Sequence, residues 1–145
     1  MKKKYWLAGA ASAAGVLAVL AGGTGFFFEM AFPRKPRFTL PASPKEMTDF
    51  QKECEQRIQD GMDWMKEKGT EKLFISSYDG LRLKATFLPA AEESTRTILA
   101  VHGYRNYGER EYAAMARFYY EMGYNVLIVD DRGHGESSGD YVGYG

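Results

Sequence analysis

Two β-prone apolar runs, Ile98-Leu99-Ala100-Val101 and Val126-Leu127-Ile128-Val129, flank a segment of helical period and helical length. This pattern restricts what the chain can fold into. Parallel strands cannot be joined by a tight turn and need a crossover, usually a helix, which in a βαβ unit is right-handed. The stretch from Thr97 to Gly139 therefore predicts a strand, a turn at His102-Gly103-Tyr104, and a helix near Glu109 to Met122 that ends at Gly123. A parallel strand from Asn125 to Asp130 and a loop onward from Asp131 complete it. Tyr112, Met115, Tyr119 and Met122 form the expected apolar face of that helix. The run at Ile98 lacks polar alternation, as expected of a central strand covered on both faces. His102 and Asp130 then sit at the same carboxyl edge, where open sheets of this class bind ligands.

The residues before this unit change period. Lys72 to Ser77 and Leu81 to Leu88 read as strands joined through Tyr78-Asp79-Gly80, a strong hairpin signal. In the second strand Leu81, Leu83, Ala85 and Phe87 alternate with Arg82, Lys84 and Thr86, which predicts that the polar face is wet. Residues 44–69 read as an amphipathic helix opened by Ser43-Pro44-Lys45-Glu46, with Met47, Phe50, Cys54, Ile58, Met62 and Met65 on one face and Gly69 after its last turn. Residues 33–43 form a proline-rich linker that holds Arg34, Lys35 and Arg37. Residues 1–32 begin with Lys2-Lys3-Lys4 and continue into an uncharged run. Leu7 to Phe28 alone would span about 33 Å as a helix, close to the hydrocarbon thickness of a bilayer. That length favours an uncleaved signal anchor, single-pass in the cell membrane with the body outside; cleavage and secretion is the alternative.

Charge excludes one class of partner. Lys and Arg balance Asp and Glu at 19 each, but residues 38–145 hold 13 basic against 18 acidic groups. An acidic body argues against nucleic acid, whose phosphates need a basic face. Cys54 is the single cysteine, so neither an internal disulfide nor a cysteine-based metal site can be built, and it reads as a structural thiol on a helical apolar stripe. No ligand spacing supports a metal at His102, His134 and Asp130 or Asp131, and no residue pattern demands a cofactor.

Gly135-Glu136-Ser137-Ser138-Gly139 matches G-x-S-x-G, the nucleophile elbow of serine hydrolases. Its context argues against that role. Ser137 lies seven residues after the strand end, past two glycines, and the glycine-rich segment that follows does not read as the required helix. A triad of Ser137, His134 and Asp131 within one loop lacks a rigid scaffold to aim the imidazole. His102 and His134 read instead as residues that fix backbone shape by hydrogen bonds.

From about Lys72 onward the chain resembles the N-terminal part of an α/β-hydrolase, and more closely the membrane-anchored bacterial hydrolases of the serine aminopeptidase and lysophospholipase group. The resemblance rests on Ser77-Tyr78-Asp79-Gly80-Leu81, on Val101-His102-Gly103-Tyr104, on Asp130 through Gly139, and on Tyr141 to Gly145. It implies an α/β fold, here incomplete: a hairpin plus a βαβ unit over residues 72–145, preceded by a transmembrane helix and an amphipathic helix. It further implies hydrolysis of esters or peptides. The backbone N–H of Tyr104 would serve as an oxyanion-hole donor, His102 and Gly103 would shape its turn, and Asp131, Arg132, Gly133, His134, Gly135 and Ser137 would form the active-site rim. In that family the nucleophile, acid and catalytic histidine come later in chain order. The expectation is a truncated, poorly stable and inactive fragment with an unpaired apolar strand edge; the alternative is a non-enzymatic membrane-anchored binding protein.

Overall fold

The computed structural model describes residues 2–35 and 46–143. The chain divides into two compact units, Met1–Leu40 and Pro41–Gly145. The first contains α1 (Lys2–Ala31), a 30-residue helix. Its segment Ala14–Ala31 is long and apolar enough to cross a membrane, and none of it is buried within the protein. The Thr24 hydroxyl donates to the Leu20 carbonyl, 2.8 Å away, so this polar group is satisfied within the helix. The expected linker beyond Lys35 and the expected cap Ser43-Pro44-Lys45 lie outside the described residues.

The second unit runs α2 (Asp49–Glu67), β1 (Glu71–Ser76), β2 (Arg82–Leu88), β3 (Thr97–Val101), α3 (Gly108–Glu121) and β4 (Asn125–Asp130). The helix expected over 44–69 is already non-helical at Glu46 to Thr48 and begins at Asp49. A capping box decides its start: the Thr48 hydroxyl accepts from Gln51 N, and the Gln51 side chain accepts from Thr48 N. Only the later part of its apolar stripe is used. Met65 is buried and Ile58 and Met62 pack against the core, whereas Phe50 is exposed.

The sheet has the order β1-β2-β4-β3. β1 and β2 form the expected antiparallel hairpin, with Ser77 N bonded to Leu81 O across a turn closed at Gly80. β2 pairs antiparallel with β4, and β4 pairs parallel with β3, as the crossover requires. Sheet and helices together make a mixed α/β unit.

β3 stands at one edge of the described sheet, as the expectation of an unpaired apolar edge has it, but it is not covered on both faces. Only Ala100 is buried in it, and Leu99 is 61% exposed. The expected polarity of β2 is also inverted. Lys84, Thr86 and Leu88 are its buried residues, and Leu83, Ala85 and Phe87 its half-buried ones. The register explains why. Thr86 and Ala100 both pair with Ile128, and Leu88 and Ile98 both pair with Val126, so these side chains share the face on which α3 lies. Gly108 opens α3 directly over that face, where a Cβ would come within 2.5 Å of Ile128 Cγ2.

α3 in turn packs on α2. Gly61 makes the close approach possible, since a Cβ there would stand 2.5 Å from the Ala113 carbonyl oxygen. Trp64 meets Tyr120 edge to face at 5.3 Å, and Arg110 grips Glu55 with both terminal guanidinium nitrogens, Nη1 and Nη2. The core is Met65, Leu88, Ala100, Ala113, Ala116, Val126 and Ile128. The α3 face that was expected to be buried is therefore turned. Tyr112 and Tyr119 pack against the core, but Met115 and Met122 are exposed, because the small residues Ala113 and Ala116 are what close helix packing demands.

Candidate functional site

Both parallel strands end at one edge of the sheet, where two loops meet. The first is the turn His102 to Tyr107 after β3, the second the loop Asp131 to Ser138 after β4. Lys84 lies beneath them. Its ammonium group, 2% exposed, stands 2.6 Å from Glu109 Oε1 and 3.4 Å from Asp130 Oδ2. Thr86 donates a further hydrogen bond to the same Glu109 oxygen. Burial works to raise the Glu109 pKa, but the hydrogen bonds from Lys84 and Thr86 and the lysine charge outweigh it, and the carboxyl is held below the ordinary glutamate value.

Asp130 uses its remaining capacity on backbone. Oδ1 accepts from Gly108 N at 2.8 Å and Oδ2 from Glu136 N at 3.1 Å. One carboxylate thus joins the start of α3, the second loop and the buried lysine. Gly135, at φ +47°, lies so close to that carboxylate that a Cβ would collide with it.

Ser137 is fully buried. Its hydroxyl donates to the Asp130 carbonyl at 2.5 Å and accepts from Lys84 N at 2.8 Å. It is a strap between β2 and β4 with no access for a substrate, although its sequence context places it at the rim. Its loop-mates follow the same pattern. Arg132 reaches out to Asp79 of the hairpin turn at 3.0 Å, and Gly133 N bonds to the Ser138 carbonyl.

The two histidines are the centre of the arrangement. His102 and His134 are 5% and 4% exposed, with rings 4.6 Å apart edge to face. Each accepts a backbone N–H from the other's loop: Asp131 N donates to His102 Nε2 at 3.0 Å, and Arg105 N donates to His134 Nε2 at 3.1 Å. An acceptor Nε2 leaves the proton on Nδ1, which donates to the Gly103 carbonyl in His102 and to the Arg132 carbonyl in His134. Both rings are therefore neutral Nδ1–H tautomers, and neither has a nitrogen open to a serine hydroxyl. Burial is the main cause that pushes the His134 pKa down, against the opposing pull of the Arg132 carbonyl and then of Asp131 and Asp130.

The turn itself is held tightly. Gly103 N and the Asn106 side chain both donate to Glu111 Oε2 at 2.9 Å, and Asn106 N bonds to Gly103 O. Arg105 takes φ +58°, a left-handed conformation that is uncommon and costly for a side-chain-bearing residue. The amides on both sides of Tyr104 are thus committed, to Glu111 and to His134, which fixes the orientation of the turn around it. The structure brings together His102, Gly103, Tyr104, Asp131, Arg132, Gly133, His134, Gly135 and Ser137 at one edge. Sequence reasoning missed Glu111 and the pair Lys84–Glu109. The available signal was weak, a lysine on the polar side of an alternating strand. Among the described residues, no group of three or more His, Cys, Asp and Glu is placed to hold a metal ion.

On the opposite face of the sheet a groove of about 510 Å³ is lined by Leu73, Ile75, Leu83, Ala85, Leu127 and Val129 and ends at Asp130 to Arg132.

No protein-family model matches the chain, and neither does any curated protein. Solved structures that resemble it include an esterase from Pyrococcus furiosus, 24% identical over 77% of this chain and 35% of that one, with a TM-score of 0.48. Another is an alpha-beta hydrolase from Vibrio vulnificus, 19% identical over 77% of this chain and 42% of that one, TM-score 0.45. A third, an alpha/beta hydrolase from Penicillium sp. sh18, is 26% identical over 48% of this chain and 24% of that one, TM-score 0.43. The chain spans less than half the length of each.

Proposed function

We propose that this chain provides the oxyanion side of a membrane-anchored serine hydrolase of the α/β-hydrolase kind, acting on ester or peptide bonds, with residues 72–145 as the N-terminal part of the hydrolase domain. The observation that carries the reading is the clamped turn at the carboxyl end of β3. The amides of Gly103 and Arg105 are pinned by Glu111 and His134, so the peptide of Tyr104 between them is preorganised. Preorganised backbone N–H groups are what a tetrahedral intermediate's oxygen requires, because no reorientation is then needed as charge develops. Asp131, Arg132, Gly133, His134 and Gly135 shape the rim beside it. Neither described histidine can act as a base for Ser137, so nucleophile, acid and base come from outside the described residues. The apolar α1 supplies the anchor, with Lys2, Lys3 and Lys4 on the cytoplasmic side, residues 33–43 as the linker and the body outside.

Fluorophosphonate labelling of the native gene product, extracted from its membrane and digested for mass spectrometry, tests the reading. A covalent label on a serine beyond residues 1–145 is expected. A label on Ser137, or none at all, overturns it. The second reading, a non-enzymatic membrane-anchored binding protein, is favoured by the exposed apolar face of the sheet; such a protein would take no label.

A further inference from the structure

We infer that His134 is a positioning residue whose neutral ring latches the β3 turn, so that a single proton on its Nε2 opens the turn that carries Tyr104. Nε2 accepts Arg105 N–H, while Nδ1 already donates to the Arg132 carbonyl. A protonated imidazole has two donors and no acceptor, and two N–H groups cannot face each other at 3.1 Å. Arg105 then loses the acceptor for its backbone N–H while it keeps a left-handed φ of +58°, a conformation that is costly for a side-chain-bearing residue. His102 cannot substitute, because its own Nε2 is engaged by Asp131 N.

Charged and titratable groups reach this ring from each element packed around it. His102 and Arg105 come from the β3 turn, Asp130 and Asp131 from the end of β4, and Arg132 from its own loop. Lys84 of β2 and Glu111 of α3 stand behind them, against Asp130 and Gly103. The Arg132 carbonyl and the two aspartates favour the proton, but burial is the leading influence and the net direction is down. The folded clasp thus binds the proton less readily than the opened one. Closure is complete above the ordinary histidine pKa of 6.5 and is lost as pH falls below it toward the lowered value in the fold. The latch needs no assumption about activity; only its consequence for Tyr104 rests on the hydrolase reading.

The chain holds two histidines, so ¹⁵N-histidine NMR of the full chain in detergent micelles resolves the ring directly. At neutral pH His134 should show the Nδ1–H tautomer. Below pH 6.5 the opened fraction, read as loss of Arg105 amide protection after correction for intrinsic exchange, should rise about tenfold per pH unit until His134 itself titrates. His134→Gln offers an amide oxygen that accepts Arg105 N–H but cannot be protonated, and should keep the turn closed across the same range. An Nε2–H tautomer at neutral pH, Arg105 protection unchanged while His134 titrates, or a glutamine variant that opens like the wild type would each overturn the latch. Should that variant fail to fold, the wild-type titration decides alone. If the latch opens as expected while fluorophosphonate reactivity of the native product stays flat over that range, the latch stands and Tyr104 is not the oxyanion donor.

Discussion

The two faces of the sheet are sorted the opposite way from a simple hydrophobic core. The covered face carries Lys84, Thr86 and Asp130 among Leu88, Val126 and Ile128, whereas the open face is apolar over its middle: Leu73 and Ile75, Leu83 and Ala85, Leu127 and Val129, Leu99 and Val101. The difference teaches that burial follows partnership and not polarity alone. Lys84 is tolerated under α3 because Glu109 and Asp130 both reach its ammonium group, and the carboxylate oxygens are further occupied by Thr86, Gly108 N and Glu136 N. Over the apolar middle of the open face nothing polar needs satisfying, and the cost of exposure is spread over many small apolar areas.

Removal of the lysine should have the largest effect. Lys84→Met leaves two carboxylates facing each other in a buried space, and loss of one partner of a buried ion pair typically costs about 3–5 kcal/mol. Denaturant unfolding followed by circular dichroism checks this; a loss below about 1 kcal/mol would show that the cluster is not what holds the covered face together. The same measurement against pH sharpens the point. Because the Glu109 carboxyl is held below its ordinary value, its contribution is fully present above pH 4.5 and is lost as pH falls from there through its folded pKa. Acid should therefore destabilise the wild type more steeply than Glu109→Gln.

Next comes the packing of α2 on the covering helix. Gly61→Ala sets a methyl group against the Ala113 carbonyl at a site with no room, and overpacking of this kind typically costs about 1–3 kcal/mol. On the open face, by contrast, Ile75→Ser exchanges a side chain that is 68% exposed and should shift stability by no more than about 0.5 kcal/mol. It should also reduce binding of a hydrophobic dye, the signature of exposed apolar surface. An Ile75→Ser variant that loses stability as severely as Lys84→Met would erase the distinction between the two faces.

That distinction also marks where sequence reading stops. The hairpin was legible because Asp79-Gly80 names its turn, and the parallel pair because the helix between Val101 and Asn125 leaves no other connection. The alternation in β2 located two faces but could not say which one is buried, since the partner that makes Lys84 tolerable lies 25 residues away on α3. An unbroken apolar run suggested a strand covered on both faces, yet Leu99 and Val101 are exposed, because hydropathy reports what a strand can bury and not what is there to cover it. At the site, topology alone placed His102 and Asp130 together. The crossed bonds from Arg105 to His134 and from Asp131 to His102 depend on two loops meeting in space, and no local pattern encodes that.

The smallest effect should come from the charge pair that most resembles the buried one in chemistry. Arg132 holds Asp79 with two nitrogens at 3.0 and 3.2 Å, yet both side chains are about a third exposed. Hydrogen bonds from Ser77 and then Arg132 lower the Asp79 pKa, so the pair favours the folded state above pH 3.8 and loses that preference as pH falls further. Water solvates both charges nearly as well when they are apart, and salt screens what attraction remains. Asp79→Asn should accordingly give an unfolding curve close to wild type, and raising the salt concentration should close whatever gap exists. A gap that persists at high salt would mean that the hairpin turn is held at the sheet edge by more than a solvated ion pair.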